Sequence, residues 1–193
     1  MTEPAVELIP DAKKTALVVI DLQNALMGLS AAPHAVAEVV KNNRRIAEAL
    51  RAAGGTVIWV RVDVNNMLSV PADEPSRFGG QKMPDELTQI APSAGFTDGD
   101  LLVTKCHWGA FAQTDLESQL RTHGAELVIL TGISTNAGVE STLRQGTGLG
   151  FAFVVVEDAC SGQDAADHRS AFEKTFRRLA RVRSTDEVVS AIG

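Results

Sequence analysis

The sequence of 193 residues predicts a three-layer α/β fold, a doubly wound and mainly parallel sheet with helices on both faces. Two observations carry this. Short apolar runs such as TALVVID (15–21), TVIWVRV (56–62) and ELVILT (126–131) lack polar alternation, as strands buried on both faces do. Longer stretches of helical periodicity separate them. Hydrophobic residues make up 45% of the chain, enough for a sizeable core. With no linker, repeat or low-complexity tract, residues 1–193 read as one domain.

The elements follow in order. After the first strand, Pro33 can open a helix in which Val36, Val39, Val40, Ile46, Ala47 and Leu50 recur at helical spacing. Gly54 and Gly55 stop it before TVIWVRV. Residues 63–100 are rich in Pro, Gly, Asn and Asp, and only PDELTQI (84–90) looks helical; so long an irregular segment is often a functional loop. LLVTK (101–105) is a strand, followed by a helix over about 114–123. ELVILT leads into a helix over about 136–146, and the strand FAFVVV (151–156) into a helix over about 165–180. A short strand at Arg181–Arg183 and a small helix close the chain, the latter opened by the capping-box pair Ser184 and Glu187. GTGLG (146–150) resembles a dinucleotide fingerprint, but it follows a helix and precedes a strand, so it reads as helix termination.

Composition removes several function classes. The net charge of −6 leaves no basic footprint for nucleic acid, and FRRLARVR (176–183) reads as a solvated helix face with an edge strand. No apolar run reaches the roughly 20 residues needed to cross a bilayer. MTEPAVELIPDAKK has no signal-peptide pattern, and two cysteines make no disulfide scaffold, so a cytoplasmic location is expected. His34, His107, His123 and His168 are scattered without metal-ligand spacing and read as surface or packing residues; no metal and no cofactor are expected.

Open parallel sheets bind ligands beyond the carboxyl ends of their strands. The first strand ends in Asp21, with Gln23 two residues on; the second ends in Arg61 and Asp63; LLVTK ends in Lys105. FAFVVV runs into Glu157 and Asp158. A carboxylate and an ammonium that end apolar strands are poorly explained by packing alone. The ammonium favours the ionised carboxylate and burial favours the neutral one, so their balance decides whether Asp21 serves as base or acid. Trp108 and Phe78 are candidates for stacking on a substrate ring.

Three motifs, DLQ (21–23), VTKCHWGAF (103–111) and TGISTNAGVEST (131–142), together resemble the isochorismatase-like, or cysteine hydrolase, superfamily. The similarity extends to VVVEDAC (154–160). It implies a three-layer α/β domain that forms homo-oligomers, dimers or larger, and acts on a small molecule. Most members hydrolyse amides with an Asp–Lys–Cys triad; here Asp21 and Lys105 match the first two, and Gly138 stands at the cysteine position. The resemblance also implies a cis peptide at Ile133–Ser134 and backbone donors at Ser134 and Gly138. The Asp-x-His metal motif of nicotinamidase-type members is missing, with Asn65 where the histidine would stand. Cys106 should point away from Lys105, and Cys160 lies beyond the fifth strand, so neither replaces the thiol.

Members with glycine at this position include isochorismatases, which cleave a vinyl ether without a nucleophilic side chain. On that model Asp21 is the acid, Lys105 orients it or binds a substrate carboxylate, and Gly138 leaves room for substrate or water. Two other readings are an amidase-like hydrolase in which water replaces the thiol, and a non-catalytic binding or oligomer-forming member.

Overall fold

The structure, a computed structural model, describes residues 7–68, 71–74 and 82–193. Six parallel strands form one sheet in the order β3-β2-β1-β4-β5-β6. They are β1 (Thr15–Ile20), β2 (Thr56–Val62), β3 (Leu101–Lys105), β4 (Leu127–Ile133), β5 (Ala152–Ser161) and β6 (Arg181–Arg183). β1 is central, with Val18 paired to Ile58 of β2 and to Leu130 of β4. The chain winds outward to β3 and then crosses to β4, so the topological switch point lies between the ends of β1 and β4.

Alternation along β1 builds two cores. Leu17 and Val19 face a layer closed by α1 (Val36–Ala52) and by Val188 of α7 (Thr185–Ile192). Ala16, Val18 and Ile20 face a layer closed by α3 (Leu116–Thr122), α4 (Glu140–Gly148) and a second helical run. That run is α5 (Ala165–Ser170), a π-helical stretch (Ala171–Phe176) and α6 (Arg177–Leu179). The remaining helix, α2 (Asp85–Thr88), is one turn long. It ends there because the next residues extend along the Gln23 loop: Asn24 donates its N–H to the Gln89 carbonyl, and Ile90 bridges Gln23. Among the described residues no helix is long and apolar enough to cross a membrane.

Three boundaries differ from expectation. Pro33 does not open α1. It follows a cis peptide with Ala32, which pairs with Gly162, and the chain bends at Pro33 and His34 before α1 starts at Val36 with Ala35 as its N-cap. β5 does not stop at Glu157 but runs on to Ser161 past a register shift against β4. The fourth helix starts as a π-helical turn, Thr135–Val139, before regular α4. At GTGLG the chain ends α4 as expected, with Gly150 at φ +89°.

Candidate active site

Asp21 directly follows β1 and takes a left-handed backbone, φ +56°. Such a conformation costs a non-glycine residue about 1–2 kcal/mol, less for Asp and Asn. Its N–H donates to the Val60 carbonyl at 2.9 Å, and its own carbonyl accepts from the Gln23 N–H at 2.8 Å. Lys105 ends β3, two strands away, and its long stem spans the end of β2. Lys105 Nζ donates to Asp21 Oδ2 at 2.7 Å and to the His107 carbonyl at 3.2 Å. Both residues are buried, Asp21 at 7% and Lys105 at 2% exposure. Burial pushes the Asp21 carboxyl above its usual range, against the opposing pull of the Lys105 ammonium. Asp21 Oδ1 has no hydrogen-bond partner among the described residues.

The turn carrying Gly138 meets this pair. A Cβ at position 138 would stand 3.3 Å from Asp21 Oδ2, 3.5 Å from the Trp108 carbonyl oxygen and 2.9 Å from Ile20 Cγ2. The expectation of open room at Gly138 is therefore corrected: in the Cβ direction Ile20, a β-branched residue held in the sheet, fills the space. Gly138→Ala should cost about 1–3 kcal/mol by overpacking; urea denaturation measures it, and an unchanged midpoint would contradict the crowding. The Thr142 hydroxyl donates to the Gly138 carbonyl at 2.7 Å and accepts from the Ala110 N–H at 3.0 Å, fastening the segment after Lys105 to this turn. Gly132 has φ +117°, and a Cβ there would fall 2.2 Å from the Ile20 carbonyl oxygen, so only glycine lets β4 approach β1 at the switch point. The Ile133–Ser134 peptide is cis.

Other expected contacts are placed elsewhere. Gln23 is a brace rather than a substrate contact. Its Nε2 donates to the Val62 and Thr88 carbonyls, and its Oε1 accepts from the Val62 N–H, which uses all of these groups within the fold. Trp108 is 59% exposed, and its carbonyl oxygen borders the Gly138 turn. Phe78 lies outside the described residues. Asp63 caps the turn at Val64–Asn66, and Asn65 bonds the Met83 backbone through both ends of its amide. That pair is committed to the loop and does not fit a metal. Burial raises the Cys160 thiol, which disfavours a thiolate there.

Two of the four histidines that read as scattered surface or packing residues are brought together by the fold. His34 and His168, far apart in sequence, both direct Nε2 at Glu157 Oε1, each at 3.0 Å. Their chain spacing hides this, because the loop before α1 and helix α5 meet only at Glu157, within β5.

Comparison with known proteins agrees with this architecture. The isochorismatase domain model matches residues 15–187. The chain is 43% identical to the uncharacterized isochorismatase family protein YecD of Escherichia coli O157:H7, over 94% of this chain and 98% of that protein. It is 32% identical to the ureidoacrylate amidohydrolase RutB of Pantoea ananatis, covering 76% of this chain and 69% of RutB. The structure of an isochorismatase family protein from Burkholderia thailandensis superposes with a TM-score of 0.88 at 36% identity, covering 93% of this chain and 96% of that one. The chain therefore belongs to the isochorismatase family of hydrolases.

Proposed function

We propose that this hydrolase works without a covalent intermediate, cleaving a vinyl ether of isochorismate or a similar small molecule. One observation carries the reading: a buried Asp21–Lys105 pair stands directly beside Gly138, which offers no thiol. An acid suits this place better than a base, because burial favours the protonated Asp21. Asp21 gives its proton to the terminal carbon of the enolpyruvyl group, leaving an oxocarbenium ion. Water adds to that ion and returns a proton to Asp21, and the hemiketal breaks its C–O bond to give pyruvate and a dihydrodiol. Lys105 holds the Asp21 carboxylate formed in the first step. The N–H groups of Ser134 and Gly138 serve as donors to the substrate.

The test is direct. Purified chain incubated with isochorismate should release pyruvate, while ureidoacrylate and small carbamoyl compounds should release no ammonia. The reverse pattern would establish the second reading, an amidase in which water replaces the thiol, which the similarity to RutB favours. Turnover of neither class would point to a non-catalytic binding member.

The same reading includes a homo-oligomer, which would cover the exposed Leu102 on the edge strand β3 and the exposed Trp108 just after it. It also includes a cytoplasmic setting, which suits the free thiols Cys106 and Cys160.

A further inference from the structure

We propose that His34, Glu157 and His168 form a binding site for a first-row divalent transition metal ion such as Zn(II) or Co(II), beside the middle of β5 and separate from the Asp21–Lys105 pair. Three elements supply the ligands: the loop before α1, the irregular stretch of β5, and α5. Nε2 of each histidine lies 3.0 Å from Glu157 Oε1, and the three ligand atoms lie within 4.8 Å of one another. Octahedral bonds of about 2.1 Å place adjacent ligand atoms about 3.0 Å apart, so an ion seated between the three needs little movement of the rings. Two imidazoles and one carboxylate make a ligand set suited to such ions and leave further positions open. Two of the three, Glu157 and His168, also line a groove of about 300 Å³, together with Pro33, Arg169 and Phe172 among others.

The support behind His168 strengthens the assignment. The ring is buried, and its Nδ1 lies 2.8 Å from Thr135 Oγ1. A histidine that binds a metal through one nitrogen usually donates its other ring N–H to an oxygen, which fixes the tautomer. Thr135 can act in both states. Its hydroxyl donates to Nδ1 when His168 gives its Nε2 proton to Glu157, and it accepts from Nδ1–H when Nε2 carries a metal. Thr135 also begins the π-helical turn that carries Gly138, so a bound ion would stiffen the turn beside Asp21.

The test needs no substrate and is independent of the proposed reaction. Full-length chain stripped with EDTA is titrated with Co(II) and followed by its visible absorption bands; Zn(II) competition and metal content then give affinity and stoichiometry. One equivalent should bind, and Zn(II) should displace it. His34→Ala and Glu157→Gln, both at partly exposed positions, should each weaken binding at least about tenfold. Wild-type chain should also melt at a higher temperature with Zn(II) present, and these variants should lose most of that rise. Absence of saturable binding up to about 1 mM Co(II) would overturn the proposal. So would equal binding by wild type and both variants, which would place the ion elsewhere.

Discussion

Asp21→Asn is expected to lower enol-ether turnover by about 10²–10⁴-fold, the usual contribution of a positioned general acid, while leaving the fold intact. Asparagine is the conservative choice for two reasons. It has the same shape and still accepts a hydrogen bond from Lys105 Nζ. It also tolerates the left-handed backbone at φ +56° better than alanine or any branched residue. What it lacks is a proton to deliver. The wild-type rate should fall as pH rises through the elevated Asp21 pKa, because an acid works only while protonated. The variant's residual rate should lack that limb. Steady-state kinetics across pH, beside circular dichroism of both chains, makes the comparison. Full turnover by a folded Asp21→Asn chain would remove Asp21 from the chemistry.

The sheet was legible because its central strands β1 and β4 are apolar runs buried throughout, and Asp21 and Lys105 were legible because a charged residue follows or ends a mainly apolar strand. Both are properties of short, contiguous sequence. What escaped depends on atoms that meet only after folding. Gly138 suggested room, but whether room exists depends on the Ile20 side chain from another strand. Gln23 looked like a ligand contact because it stands beside Asp21, yet its amide substitutes for missing backbone pairing at the end of β2. The β5 irregularity changes which residues continue the strand, and no composition signal marks it. His34 and Glu157 are 123 residues apart, so no local spacing could join them. Thr142 reads as an ordinary helix residue until its hydroxyl is seen to link Gly138 and Ala110.

Lys105→Met should produce the largest stability change, and its pH dependence identifies the cause. Removing the ammonium leaves Asp21 buried without its charge partner, and Oδ1 already has no partner among the described residues. Breaking a buried pair in this way costs about 3–5 kcal/mol while the remaining charge persists. Asp21 can escape part of that cost by staying protonated, so its folded pKa should rise further above the unfolded value of about 3.9. The sign follows from proton counting. Between the unfolded and the folded pKa the folded chain holds the extra proton, so stability falls as pH rises, by up to about 1.4 kcal/mol per pH unit. Wild type shares this slope, but Lys105 opposes the rise in pKa and so narrows the window. The gap between the two chains should therefore be small near pH 4 and widen toward pH 8. Urea midpoints measured across that range test it, with Asp21→Asn/Lys105→Met as the control in which the widening disappears. A gap that stays constant with pH would mean that Lys105 contributes through packing of its stem, and that the carboxylate beside it is not held by charge.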